Sequence, residues 1–449
     1  MIRKTLSTRI EEFEKKHVGL TRNAKECCIY KLHEQLRDVS EKAYKPVLLA
    51  IGPYNDQGKV GQGFMEEHKL HYLQQMLKRT KGSLERYITT MKELEKATLK
   101  CYGEHISQNS YEFVEMMVLD GCFIIELFHN YEICWIMEDD PIFQMKWVLP
   151  RIARDLLLFE NQLPFFVLAK LFEMSESSNT LRHNRSTNFG EQVVDIDEKK
   201  DGISVESSTS ITQIIQTRLT DLALNFFFKF LPFQWNANAS SYNSNDKIKH
   251  LLCLVHEALT PSLPNMNKHQ NIHSATELKE AGIKFKKADK SNGFSIKFNN
   301  GLMEISPLCI EDHTETYLRN LITYEQYCDR QKSSDYVHNY VQFMENLINS
   351  PKDVELLRQK GIISNFLGDD EIISTMVNKL GHYISVSSSS SIYARTSKNL
   401  NMHCRRHRNV WMAKLRRDYF NSPWALVSFL GAVLLLALAI TQAIFSIIH

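Results

Sequence analysis

Apolar and polar positions recur with a helical period along most of this chain, and in a few blocks the apolar face closes almost all the way round. Residues 111–128, YEFVEMMVLDGCFIIELF, form one such block, which predicts a helix buried on most of its surface. A second, MKWVLPRIARDLLLFENQLPFFVLAKLF, follows Asp140-Pro141. Within it Pro150 suits the first turn of one helix, and Pro164 suits the start of the next, after Glu160-Asn161-Gln162. Residues 211–230 predict a third buried helix. Punctuation marks the later helices. Ser274 with Glu277 has the spacing of a capping box, and Gly282 follows as a stop. Asp312 with Glu315 opens a helix striped by Leu318, Leu321 and Ile322, and Ser350-Pro351 opens another, closed by Gly361. One stretch has period two: Phe294, Ile296 and Phe298 alternate with polar residues, and Asn300-Gly301 predicts a tight turn into Leu302-Met303-Glu304-Ile305. The predicted class is mainly α: a helical globular body with a small β-hairpin element and one C-terminal transmembrane helix.

The last pattern is the longest. From Trp424 to Ile448 the chain reads WALVSFLGAVLLLALAITQAIFSII without a charged side chain. As a helix this segment rises about 37 Å, enough to cross a hydrocarbon core of roughly 30 Å. Arg405, Arg406, Arg408, Lys414, Arg416 and Arg417 precede it, with Asp418 the first acidic residue after them. That bias predicts a cytosolic N-terminal side, with the basic residues beside lipid headgroups. Residues 1–17, MIRKTLSTRIEEFEKKH, carry charge throughout and lack a signal-peptide core. The expected protein is therefore a tail-anchored, single-pass membrane protein with its body in the cytosol; whether it sits in the plasma membrane or an endomembrane stays open. Nine cysteines without regular spacing agree with a reducing compartment.

Polar stretches divide the rest. Residues 174–209, 236–246 and 264–273 are rich in Ser, Asn and charge, and a serine run at 387–391 precedes the basic segment. Such compositions bury too little apolar area to offset chain entropy. The expected organisation is an amphipathic helix over 1–26, striped by Leu6, Ile10 and Phe13, then a helical domain over 27–380 with an insertion at 174–209. A Ser-rich and basic juxtamembrane segment follows over 381–423, and the anchor occupies 424–448. The insertion is expected as a solvated loop, a natural place for partner recognition.

Candidate chemistry changes this picture little. Gly58, Gly61 and Gly63 do not fit a dinucleotide loop, and the P-loop, G-x-S-x-G and H-E-x-x-H patterns are missing. A net charge of +2, with most of the excess beside the membrane, argues against a nucleic-acid partner. His68 with His71 and Cys101 with His105 have helical spacing suited to metal ligation, but the plainer reading is ordinary amphipathic helices; no cofactor or metal is expected. More informative are Asp120, Glu126, Asp155, Glu160, Asn161 and Gln162, which interrupt the apolar blocks. Burying a carboxylate costs several kcal/mol unless it is paired, and Lys146, Arg151 and Arg154 lie nearby in sequence. These six residues are expected to form a polar network that holds helices in register, or else a ligand site.

Ordered local matches then point to a family. Tyr44-x-Pro46, Ile51-Gly52-Pro53-Tyr54, Met65-Glu66-Glu67-His68-Lys69, EFVEMMVLDGCFIIELF, Asp140-Pro141-Ile142-Phe143 and RDLLLFENQLPFFVLAKLF occur in series. Gly282-Ile283-Lys284-Phe285, TETYLRNLITYEQ, GIISNFLGDDEI and Tyr419-Phe420 with Pro423-Trp424 continue it. The chain closely resembles the plant family known as domain of unknown function 247, from about Cys28 to Phe445. Two positions depart from the pattern: Leu32-His33 stands where the family usually has Val-Pro, and Asn55-Asp56 where paired histidines are frequent. The resemblance implies a plant protein with one C-terminal span and no established catalysis, in a family where some members act as recognition determinants in grass self-incompatibility. The expected function is protein interaction, signalling or recognition at a membrane, with lipid and an unidentified protein as partners. The alternative is a membrane-tethered enzyme using the acidic and amide cluster at 155–162.

Overall fold

In a computed structural model the residues described are 26–55, 63–133, 140–176, 205–233, 248–260, 267–268, 270–289, 293–327, 335–382, 390–405 and 423–448. The predicted N-terminal helix over 1–26, apart from Glu26, and most of the insertion, residues 177–204, lie outside them. So do the juxtamembrane residues Arg406, Arg408, Lys414, Arg416 and Arg417.

Helices dominate. In chain order they begin with α1 (Glu34–Val39), α2 (Phe64–Thr80), α3 (Leu84–Leu99), α4 (Ser110–Glu132), α5 (Pro141–Gln144) and α6 (Val148–Leu156). Next come α7 (Phe165–Ser175), α8 (Val205–Phe227) and α9 (Leu251–Leu259). Strand β1 (Asn267–Lys268), helix α10 (Ala275–Glu280) and strands β2 (Lys284–Lys287), β3 (Ile296–Asn299), β4 (Leu302–Ile305) and β5 (Leu308–Ile310) follow. The chain continues through α11 (Thr314–Tyr327), α12 (Tyr336–Leu347), α13 (Pro351–Gln359), β6 (Ile363–Asn365), α14 (Asp370–Leu380), β7 (Ser390–Ser391) and α15 (Ala394–Arg405) to α16 (Pro423–Ile448). The mainly α class is as the periodicity predicts. Helices α7 and α8 run into the expected insertion from both sides, so its flanks at 174–175 and 205–209 are helical.

The chain forms two compact units. The first is built from Met1–Leu231, Ser240–Pro261 and His313–Asp335, the second from Pro232–Ala239, Ser262–Asp312 and Tyr336–His449. The body expected over 27–380 contributes to both.

Helix α4 is the axis of the first unit. Asn109 caps it by accepting from the amides of Tyr111 and Glu112, while Glu112 returns a bond to the Asn109 amide, which satisfies otherwise orphaned donors. Its Phe113, Met117, Phe123, Leu127 and Phe128 are buried against α2, α3, α7 and α8. Phe123 meets Tyr72 of α2 edge-on at 5.1 Å, and Phe128 sits 5.3 Å from Phe226 of α8. An all-round apolar helix buried this way follows from its sequence.

The second unit holds the β structure. Strands β3 and β4 form the predicted hairpin, with Ile296 opposite Ile305 and Asn299 opposite Leu302. Its turn places Asn300 at φ 48° and Gly301 at φ 80°, the left-handed pair that a tight hairpin requires. Strand β2 adds to the other edge of β4 in parallel, and β5 pairs with β6 in parallel. The Ser274 capping box on α10 forms in both directions, at 3.4 and 3.0 Å. Helix α15 lies over the hairpin, with His403 edge-on to Phe298 at 5.7 Å.

Candidate functional site: a charged clamp on residues 45–52

Residues 47–52, Val-Leu-Leu-Ala-Ile-Gly, have no helix or strand of their own. Yet Leu48, Leu49, Ala50 and Ile51 are buried in the first unit. Buried backbone needs partners, and here side chains supply them. Asp155, at the end of α6, accepts from the amides of Val47 at 3.0 Å, Leu48 at 2.7 Å and Leu49 at 2.9 Å. Asn161 accepts from the Ile51 amide at 2.6 Å and donates to the Leu49 carbonyl at 2.9 Å. Asp120 accepts from the Gly52 amide at 2.9 Å. On the carbonyl side, Lys69 donates to Ala50 at 2.8 Å, and Arg154 donates to Lys45 at 2.9 Å and to Lys42. A segment without secondary structure is thus held by side chains from α2, α4, α6 and the turn after α6, with three successive amides turned onto one carboxylate.

Charge within the clamp is balanced. Lys69, with no exposed side-chain surface, lies 2.7 Å from Asp120. Arg154 pairs with Asp155, both almost fully buried. Burial pushes the Asp120 carboxyl up from the usual carboxylate range, against the pull of Lys69 and the Gly52 amide. Burial likewise raises Asp155, opposed by Arg154 and the three amides. Burial also disfavours the Lys69 charge, but Asp120 and Glu66 outweigh it, and its pKa lies above the ordinary lysine value. Each ion is therefore kept by a specific counter-charge, the arrangement that makes removal of one partner costly.

The rest of the set engages backbone as well. Glu160 accepts from the Leu32 amide at 2.7 Å and takes Arg37 at 2.7 and 2.8 Å on its two oxygens. Gln162 donates to the carbonyls of Leu156 and Leu158 at 2.7 and 2.8 Å and accepts from the Leu252 amide at 3.1 Å. Glu126 stands apart from the clamp, paired with Arg79 at 2.8 Å, which also reaches the Ser175 carbonyl. All six candidate residues are buried. Gly52 fixes the exit of the clamped segment: its φ is +71°, and a Cβ there would fall 2.7 Å from the Gln162 carbonyl oxygen. Asn55 donates to Asn161 at 2.8 Å.

Not every expected neighbour takes part. Arg154 does, but Lys146 is exposed and Arg151 stacks on Trp147 at 5.2 Å. Sequence reasoning missed Lys69, Arg79 and Arg37, the cations that serve Asp120, Glu126 and Glu160. Lys69 sits in the polar run Glu66-Glu67-His68-Lys69, where nothing local marks it as interior. It also missed the buried His256–Glu325 pair at 2.7 Å and Asn320, which accepts from the Phe159 amide at 2.8 Å. Among the described residues, no group of three or more His, Cys, Asp or Glu could hold a metal ion. His68 packs on Phe64 and His71 contacts Gln75, while His105 is exposed. Arg405, the one described member of the basic membrane-flanking set, is exposed at the end of α15.

A family model described as a plant protein of unknown function, domain of unknown function 247, matches residues 29–438, which include every clamp residue. The UPF0481 protein At3g47200 of Arabidopsis thaliana is 28% identical over 432 residues, covering 94% of this chain and 86% of its own. The putative UPF0481 protein At3g02645, also of Arabidopsis thaliana, is 22% identical over 519 residues, covering 100% of this chain and 94% of its own. No solved structure matches. With a match from Ile29 into the apolar C-terminal helix, the chain belongs to the plant protein family of domain of unknown function 247.

Proposed function

We propose that this protein is a single-span membrane protein whose body faces the cytosol and engages protein partners there. The observation that carries the reading is the segment Val427–Phe445, 19 residues of mean hydropathy 2.3 with none of its surface buried. Water-soluble bodies rarely leave so large an apolar surface uncovered, and a lipid bilayer covers it. The basic residues from Arg405 to Arg417 support a cytosolic N-terminal side.

Two features favour interaction over a tethered enzyme. The acidic and amide groups at 155–162 already spend their bonding capacity on backbone, whereas a general acid or base needs a free approach to substrate. In the second unit, the loop after β6 offers an aromatic side chain on a rigid mount. Phe366 is 71% exposed. Behind it Asn365 accepts from the amides of Leu367 and Gly368 at 2.8 and 3.0 Å and donates to Asp370 at 2.8 Å. A large apolar side chain projecting from an ordered turn is a common anchor of a protein contact.

Fractionation and proximity labelling in plant cells test the reading together. Truncation after Ser422 is expected to move the body to the soluble fraction, and protease added to intact microsomes is expected to digest it. A reproducible set of labelled membrane-proximal proteins should shrink with Phe366→Ala. Glycan on Asn184 or Asn238 would place the body in the lumen and overturn the topology. A labelled set unchanged by the Phe366 substitution would remove the proposed anchor.

A further inference from the structure

One pair of nucleophilic side chains lies outside the clamp and the anchor. The segment before α1 pairs with the chain after α3 through a parallel bridge, Ile29 opposite Tyr102. The amides of Cys28 and Ile29 both donate to the Cys101 carbonyl at 2.9 Å, and the Gly103 amide donates to the Ile29 carbonyl at 2.9 Å. In parallel register, the residue before Ile29 faces the residue before Tyr102, so Cys28 stands opposite Cys101. Paired backbones lie roughly 5 Å apart, within the Cα separation of about 4.4–6.8 Å that a disulfide accepts. Cys101 Sγ donates to the Ala97 carbonyl at 3.5 Å, and the two thiols shift each other's titration. Both cysteines are reduced here.

We propose that Cys28 and Cys101 are a peroxide-responsive dithiol that closes to a reversible disulfide, stapling the segment before α1 to the end of α3. The pair is not sealed off, because Cys28 is partly exposed, and a small oxidant can reach it. The interaction between the thiols lowers the Cys101 pKa and raises that of Cys28, which favours Cys101 as the first nucleophile; the same balance holds if Cys28 attacks first. The Cys101 sulfur attacks one peroxide oxygen, the O–O bond breaks, and the departing hydroxide leaves as water after taking up the proton that Cys101 gave up. The resulting Cys101 sulfenic acid is attacked by the Cys28 sulfur. The S–S bond forms, the S–O bond breaks, and the second water carries away the Cys28 proton. Two thiols and one peroxide thus give one disulfide and two waters, and a dithiol reductant reverses the change.

Neighbouring Cys27 has a different environment. Its Sγ lies 3.9 Å from the Ile29 carbonyl, and the bridge register sets Cys28, rather than Cys27, opposite Cys101. The inference concerns a modification of the first unit and does not rest on the interaction reading.

The test uses the full chain, reduced, in detergent micelles and then exposed to hydrogen peroxide. After alkylation and non-reducing digestion, mass spectrometry is expected to find a Cys28–Cys101 crosslinked peptide. Two alkylatable thiols should be lost per chain and restored by dithiothreitol. Cys27→Ser should keep the crosslink. Cys28→Ser and Cys101→Ser should each lose it. Wild-type mapping decides without any variant: a Cys27–Cys28 or Cys27–Cys101 linkage, or peroxide consumption that leaves both thiols alkylatable, overturns the assignment.

Discussion

Asp155 in the first unit and Asp353 in the second are both buried, and each gathers several donors, those of Asp353 partly from its own helix start. Asp353 accepts from the Thr276 amide and hydroxyl at 2.8 Å each, and from the Ser350 amide and hydroxyl at 3.0 and 2.8 Å. All these donors are neutral and sit at the first turns of α10 and α13, so the carboxylate works as a double helix cap. Asp155 holds three successive amides of a segment with no secondary structure and shares its pocket with a buried guanidinium. A cap that is lost leaves donors that neighbouring hydroxyls or water can reach. A clamp that is lost strands a charge and an unpaired backbone together. The two units thus bury the same chemical group under different obligations, and the obligation sets the cost of losing it.

The largest effect should come from Asp155→Ala. It leaves Arg154 without its counter-charge and three amides without an acceptor, so a loss of about 3–5 kcal/mol is expected. Chemical denaturation of the Ser422-truncated chain would measure it, with hydrogen exchange localising the loss to the 47–52 amides. Unchanged protection of those amides would show that the clamp is not what orders the segment. Gly52→Ala strikes the same segment without touching charge. It forces a side chain into positive φ and onto the Gln162 carbonyl, at a cost of about 2 kcal/mol or more. If alanine is tolerated there, the close approach at Gly52 does not constrain the clamp.

Asp353→Ala sharpens the contrast from the other side. No cation is orphaned, so about 2 kcal/mol is expected from the lost charge-assisted bonds. Exchange should rise at the first amides of α10 and α13. A loss matching that of Asp155→Ala would erase the distinction between cap and clamp.

The difference also explains what sequence could reveal. Caps are local, and Ser274 with Glu277, Ser350-Pro351 and Asn300-Gly301 were legible because each motif carries its partner within four residues. The all-round apolar helix α4 was legible from composition alone. The six polar interruptions could be picked out as unusual, since Asp120 and Asp155 stand among Val, Leu and Phe. Their partners could not. Lys69, Arg79 and Arg37 come from other helices, and the clamped segment itself has no period because side chains, rather than a strand, satisfy its backbone. Strand β2 was invisible for a related reason: three of the four residues of Lys284–Lys287 are exposed, and their parallel partner lies beyond an intervening strand. The Asn365 mount for Phe366 was read only as part of a family motif.

The smallest expected effect lies where the second unit carries a carboxylate with neither cap nor counter-ion. Glu345 of α12 accepts the Gly381 amide at 2.6 Å, just beyond the end of α14. Burial pushes its pKa up from 4.5 to about 6, and the single amide bond pulls back only in part. A carboxyl whose folded pKa is raised favours folding when protonated. Its contribution is therefore fully present below about pH 4.5 and is lost as pH rises through about 6. The full shift corresponds to about 2 kcal/mol, and because the side chain keeps some solvent contact, about 1 kcal/mol is the expected size. Glu345→Gln keeps an acceptor for Gly381 but cannot ionise, so other titrating acids cancel when the two chains are compared. The stability difference between wild type and variant should shift by about 1 kcal/mol in favour of Gln from pH 4.5 to 7, read from denaturation midpoints at each pH. A difference that stays flat across that window would mean that the Glu345 carboxylate is as well served as Asp353, and that burial without a dedicated partner carries no penalty at this joint between α12 and α14.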